Sequence, residues 1–207
     1  MPSSKEHWDS IFTRQKDSAL GWYEESACQT MELLEQVPGW EQSTIFLPGA
    51  GTSILVEELL SCSVGQLIAN DISQKALDTL KDRLGVKGKN ITYLCQDIVQ
   101  PIPSLVPAID IWIDRAVLHF LIDEDAITKY FNNLFLSLNP GGFALFAEFS
   151  RIGATKCAGL PLHRYSVEEL SARLGASFSL ISQQDYTYIN PNGDPRPYIY
   201  ALFRRAA

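Results

Sequence analysis

Basic runs, paired cysteines and long apolar stretches are all missing from this chain of 207 residues. Lys and Arg number 17 against 24 Asp and Glu, a net charge of −7, and Arg204-Arg205 is the longest basic run. A nucleic-acid partner needs a basic face that releases counterions from phosphate, so none is expected, and the Arg pair reads as a solvated chain end. The four cysteines (Cys28, Cys62, Cys95 and Cys157) lie far apart, without a CxxC or a histidine at ligand spacing. Reduced thiols and no zinc site are the expectation. No run approaches the ~18 apolar residues of a membrane span, and MPSSKEHWDS lacks the basic and apolar regions of a secretory leader. A soluble, cytoplasmic protein without a membrane partner is expected.

Hydrophobic residues make up 46% and charged residues 20% of the chain. That balance fits a folded protein, and the length suits one domain with a substantial core. Strands are predicted at 44–47, 66–69, 91–94, 109–113 and 143–149, with helices at 53–61, 73–84, where Ser73 can cap, and 123–138. Short apolar strands alternating with amphipathic helices imply a parallel α/β sheet covered on both faces. About forty aromatic-rich residues precede the first strand (Trp8, Phe12, Trp22, Tyr23, Trp40), with helical stretches on either side of 20–23. After Phe149 come a loop, a helix near 166–174 and two strand-like runs, 179–189 and 198–204. The turn formers of Asn190 to Pro195 join these runs as an antiparallel hairpin at one sheet edge.

In an open α/β sheet, ligands sit beyond the carboxyl ends of the strands, and the unusual residues of this chain fall there. Gly49-Ala50-Gly51-Thr52-Ser53 follows the first strand and opens a helix. Two glycines one residue apart permit a tight turn and a close ligand approach, although such a turn can need glycine for structural reasons alone. Asp71 ends the second strand, 22 residues after Gly49, where an acid can accept from both ribose hydroxyls or cap the next helix. Asp97 ends the third strand and Asp114 the fourth. A glycine turn followed by three strand-end acids is read most economically as an adenosine site. The GxxxxGK[ST] of a phosphate loop is absent, and Ile54 stands at the third glycine of a dinucleotide turn. With no Lys or Arg at the turn, the site suits a nucleoside with a cationic or zwitterionic tail, such as S-adenosylmethionine. A nicotinamide-dependent oxidoreductase is disfavoured by Ile54.

PGAGTS, NDIS, CQDI, DIWIDRAVLHFL and LNPGGFALFAEFS, in that order, resemble the successive motifs of class I S-adenosylmethionine-dependent methyltransferases. The N-terminal HWDSIFTRQKDSALGWYEE is similar to the lead-in of thiopurine-type and protein-lysine methyltransferases. The resemblance implies a Rossmann-like, doubly wound sheet of seven strands, mostly parallel with an antiparallel last strand. It also implies a single domain: an N-terminal helical lid segment (1–43), a cofactor-binding core (44–149), and an acceptor-side loop, helix and hairpin (150–207). Pro48, Gly49, Ala50 and Gly51 are expected under the methionine and ribose part of the cofactor, Asp71 on the ribose, and Ile72 on the adenine. Asp97 and Ile98 are expected at the adenine amino edge, Asp114, Arg115 and Ala116 near the sulfonium and acceptor, and Trp22 in a lid. Leu47 stands where the family usually carries an acid, so the anchor for the methionine amino group is unassigned.

Candidate catalytic residues are Asp114, His119 and Tyr23, needed as a base only if the nucleophile arrives protonated. His163 and Arg164 are either acceptor contacts or loop anchors. The expected acceptor is a small molecule with a sulfur or nitrogen nucleophile. Protein lysine, for which the acidic pI would suit a basic partner, is the alternative, and a non-catalytic cofactor-binding module is a second one.

Overall fold

The computed structural model describes residues 4–207; residues 1–3, where the expected N-terminal segment begins, lie outside the described residues. Among the described residues nine strands follow in chain order: β1 (Thr44–Leu47), β2 (Gln66–Asp71), β3 (Thr92–Cys95), β4 (Ile109–Arg115), β5 (Leu138–Phe149), β6 (Lys156–Cys157), β7 (Leu160–Pro161), β8 (Phe178–Ile189) and β9 (Pro195–Arg205). The helices are α1 (Ser4–Arg14), α2 (Cys28–Leu34), α3 (Leu55–Ser61), α4 (Gln74–Leu84), α5 (Glu124–Ser137) and α6 (Val167–Leu174).

Seven strands form one sheet in the order β3-β2-β1-β4-β5-β9-β8. The first five pair in parallel, while β9 runs antiparallel to both of its neighbours. The C-terminal hairpin therefore enters with β9 inward and β8 as the edge. Alternation along the strands sends Ile45, Leu47, Ile111 and Ile113 toward a core shared with α2, α3 and α4. Phe46, Trp112, Ala144 and Phe146 point to the other face, packed by Ile127, Tyr130 and Leu134 of α5 and Leu170 and Leu174 of α6.

Ser73 caps α4 as expected, and Ser166 caps α6 in the same way. Ser73 Oγ accepts from Ala76 N at 3.1 Å, and Ser166 Oγ accepts from Glu169 N at 3.3 Å. Two details differ from expectation. The strand was expected over 143–149, yet β5 starts at Leu138, opposite Ile109, with a register shift before Ile111. Asn139 Nδ2 donates to Asp110 Oδ1 (2.8 Å), which keeps this irregular stretch on the strand. The loop after β5 carries the small β6–β7 hairpin, turned by Ala158 (φ 52°) and Gly159 (φ 78°). Two successive positive φ angles are what a two-residue primed turn requires.

The N-terminal segment lies across the carboxyl ends of the strands. Asp9 of α1 docks on the start of α4, accepting from Ser73 Oγ (2.6 Å) and Lys75 N (3.3 Å). Arg83 of α4 ties Asp17 (2.8 Å) to Glu57 of α3 (2.6 Å).

Candidate active site

Strand β1 lies between β2 and β4; the chain runs outward through β2 and β3 on one side and crosses back to β4 on the other, so the crevice opens at this switch point. A cavity of about 370 Å³ lies there. Its wall includes Pro48, Gly49, Ala50 and Gly51 from the first turn, Asp71 and Ile72 after β2, Asp97 and Ile98 after β3, and Arg115 and Ala116 at the end of β4. Trp22 and Tyr23 of the N-terminal segment cover it, with Trp8 and Phe12 beside them.

The two turn glycines have different reasons to be glycine. Both have positive φ (55° at Gly49, 52° at Gly51). A Cβ at Gly49 would stand 2.1 Å from Val117 Cγ2, so the space there is filled by the loop after β4 and not left for a ligand. At Gly51 the nearest atoms are Phe12 Cζ (3.3 Å) and Asp71 Oδ2 (3.8 Å), which leaves this position close to the acid. Asp71 in turn holds the turn in shape, its Oδ2 accepting from Gly51 N and its Oδ1 from Ser73 N, each at 2.8 Å. A carboxylate offers about four acceptor positions, so two remain for hydroxyl donors. Burial pushes the Asp71 carboxyl up to about 6, against the lowering effect of the amides of Ser73 and Gly51.

On the opposite side of the glycine turn, Arg115 donates to the Trp22 carbonyl (3.0 Å) and pairs with Glu24 Oε1 (2.6 Å). Both side chains are more than nine-tenths buried, and both line the cavity. Burial raises the Glu24 carboxyl, opposed by the Arg115 charge. The Tyr188 hydroxyl donates to the Tyr23 carbonyl, so the segment 22–24 is fastened from β4 and from the C-terminal hairpin. Glu24 escaped the sequence reading because its partner is 91 residues away; no local signal announces such a pair.

Two expected catalytic residues are not on the wall, and this corrects their placement. Asp114 and His119 are wholly buried. Asp114 Oδ1 accepts from Val117 N (3.0 Å), and Oδ2 accepts from the Tyr130 hydroxyl (2.5 Å), which itself accepts from Trp112 Nε1 (2.8 Å). His119 Nδ1 lies 2.6 Å from Glu148 Oε2, which also accepts from His119 N. Burial pushes the imidazole down to about 3, so the contact is a hydrogen bond of a neutral ring and not an ion pair. Burial drives Glu148 up to about 8 and Asp114 well above the usual carboxylate range, the latter further raised by Glu148 beside it. Two acids in one dry site cannot both ionise. The network braces the loop 115–120 from beneath and cannot reach an acceptor.

His163 and Arg164 are anchors. His163 Nε2 lies 2.7 Å from Glu169 Oε1, and Arg164 Nη1 donates to the carbonyls of Arg151 (2.6 Å) and Gly153 (3.2 Å). Of that loop, Leu160 reaches the cavity. Cys28, Cys62 and Cys95 are exposed and Cys157 is buried, all as free thiols. Among the described residues, no cluster of His, Cys, Asp or Glu could hold a metal, and no helix is long and apolar enough to cross a membrane.

The wall chemistry fits a nucleoside with a charged tail: paired acceptors at Asp71, apolar Ile72 and Ile98, and one ion pair. Comparison with known proteins agrees. Residues 47–142 match the model of a methyltransferase domain. Over 135 residues the chain is 28% identical to phosphoethanolamine N-methyltransferase 1 of Triticum aestivum, covering 64% of this chain and 27% of that protein. The chain thus spans about a quarter of that relative's length. The fold is shared with the N-methyltransferase NodS of Bradyrhizobium japonicum, solved with S-adenosyl-L-homocysteine (TM-score 0.77, 16% identity, all of both chains). It is shared as well with a SAM-dependent methyltransferase of Anabaena variabilis (TM-score 0.79, 15% identity, 97% of this chain and 93% of that one). A third structure, 1,6-didemethyltoxoflavin-N1-methyltransferase of Burkholderia thailandensis, has a TM-score of 0.68 at 16% identity, over 99% of this chain and 85% of that one. Residues 47–142 thus resemble a methyltransferase domain, with the glycine turn and the strand-end acids at the carboxyl edge of a seven-stranded sheet.

Proposed function

We propose that the protein transfers a methyl group from S-adenosylmethionine to a nitrogen of a small-molecule amine. The observation that carries this reading is a wall shared by two cavities. Tyr23 and Glu24 line the cofactor cavity and also a second cavity of about 440 Å³, bordered by Glu25, Tyr186 and Tyr188. Carboxylates and tyrosine rings together suit an amine or its ammonium form. The covering of the first cavity by Trp22 and Tyr23 suits a small acceptor better than a protein chain. The names of the relatives, which methylate nitrogen, support the same choice.

Bound S-adenosylmethionine supplies a sulfonium methyl group that is intrinsically reactive toward a nucleophile. The protein's part is alignment and exclusion of water, and positioning of this kind supplies on the order of 7–11 kcal/mol in oriented reactions. In this reading Tyr23 gives the acceptor nitrogen a hydrogen-bonding partner, and Glu25 on the wall of the second cavity holds its charge before the amine proton is released to water. The nitrogen lone pair forms the new bond to carbon, and the sulfur keeps the electrons of the bond it loses.

The test is radiolabelled cofactor with three panels: small amines, small thiols and basic proteins. Label in an amine, with an equal amount of S-adenosylhomocysteine, is expected. Label confined to thiols or to protein lysine would replace this acceptor class. Cofactor binding without turnover on any panel would favour a non-catalytic module.

A further inference from the structure

The cofactor assigned to this domain has a zwitterionic amino-acid tail, and Leu47 leaves its usual acidic anchor unfilled. On the wall of the cavity, among the described residues, Arg115 is the sole basic side chain. Its carboxylate partner Glu24 lies beside it on the same wall. The Arg115 Nε–H is buried with no hydrogen-bond partner. A buried donor without a partner is costly, so an acceptor delivered to this guanidinium gains more than it would at a solvated arginine. The strand order β2-β1-β4 sets Asp71 and Arg115 on either side of the glycine turn. A nucleoside held through its ribose at Asp71 therefore has its tail toward β4.

We infer that the Glu24–Arg115 pair is the binding site for the amino-acid tail of the cofactor, Arg115 taking the carboxylate and Glu24 the ammonium. The pair is complementary to a zwitterion in charge, and it supplies in place of the strand-end acid an acid from the N-terminal segment. The tail then bridges that segment to β4, so cofactor binding and closure of residues 22–24 are one event. Arg115 already holds the Trp22 carbonyl, and its guanidinium lies 6.0 Å from each of the rings of Tyr188 and Tyr198. Those contacts fix its plane in advance, which lowers the entropy lost on binding.

This inference rests on the cofactor reading, and analogues lacking parts of the tail separate the two. Calorimetry on the wild-type protein would compare S-adenosylhomocysteine, its decarboxylated form S-adenosyl-3-thiopropylamine, and 5′-methylthioadenosine, which has no tail. Loss of about tenfold or more in affinity on removing the carboxylate is expected, about 1.4 kcal/mol or more. Arg115→Gln should abolish that difference while changing the affinity for methylthioadenosine about twofold or less. Because Arg115→Gln leaves Glu24 buried and unpaired, the double variant Glu24→Gln/Arg115→Gln is measured beside it, with the same expectation. Equal wild-type affinity for the first two ligands would overturn the assignment. So would a parallel loss for all three in the variants, which would make the pair a clamp for the segment only. Failure of the wild type to bind any of the three would remove the cofactor reading itself, and the assignment with it.

Discussion

Asp71 accepts a backbone amide on each carboxylate oxygen and still faces the cavity, so one side chain shapes the turn and keeps acceptor capacity toward the cavity. Burial raises its carboxyl to about 6. Ribose hydroxyls donate to the ionised form, and protonation removes that acceptor capacity. The dissociation constant for S-adenosylhomocysteine is therefore expected to rise as pH falls through about 6, and Asp71→Ala to bind weakly at every pH; calorimetry from pH 5 to 8 checks both. Ala116 presents the opposite case, a residue chosen against its backbone. Its φ of 68° lies in the left-handed region, which costs a residue with a Cβ about 1–2 kcal/mol. Ala116→Gly relieves that strain, less about 0.4–1 kcal/mol from greater freedom of the unfolded chain. A small gain in Tm is expected, readable by thermal denaturation, and a clear loss would contradict the strain.

At the scale of elements, the N-terminal segment owes its position to aromatic packing more than to its own helices. Trp22 meets Trp8 edge-on (centroids 5.6 Å) and Phe12 (6.2 Å), and Trp8 meets Phe120 of the loop after β4 (4.8 Å). α1 has eight of its eleven residues polar or charged and buries only Phe12. Such a helix is marginal by itself and depends on docking. Trp22→Ala should therefore loosen the cover of the cavity, raising the cofactor dissociation constant by about tenfold or more. Unchanged affinity would show that Trp22 serves packing alone. The aromatic cluster was legible in the sequence, where Trp8, Phe12, Trp22 and Tyr23 stand out. Its fastening by Arg115 and Tyr188 was not, since those contacts join positions 93 and 165 residues apart.

The whole molecule carries its acids in a way that sets its response to pH. Glu148 on β5 is raised to about 8 by burial, so between 4.5 and 8 the folded chain keeps a proton that the unfolded chain has lost. Stability from this group falls as pH rises across that window. Asp114, raised well above its usual range, acts in the same direction. His119, lowered from 6.5 to about 3, has the opposite sign: the unfolded chain takes up its proton first, so stability rises with pH between 3 and 6.5. The opposing effects overlap up to pH 6.5, and above it the acids act unopposed. A fall in Tm from pH 6.5 to 8 is expected, and Glu148→Gln, which imitates the protonated acid, should flatten it. An equal slope in that variant would mean the proton resides elsewhere.

The strand–helix alternation, the glycine turn and the acids at 71 and 97 were determined by local sequence. They depend on periodicity of two and 3.6 residues and on strand ends, and both lie within a few neighbours along the chain. The inward placement of β9 and the correction at Asp114 and His119 were decided only by tertiary structure. A strand-end acid looks the same in sequence whether it faces a ligand or, like Asp114, is roofed by a tyrosine from a helix sixteen residues on. Which of those occurs depends on what packs above it. The Glu24–Arg115 pair is the same lesson at longer range, because desolvation by the whole fold turns two ordinary charges into a buried, oriented site.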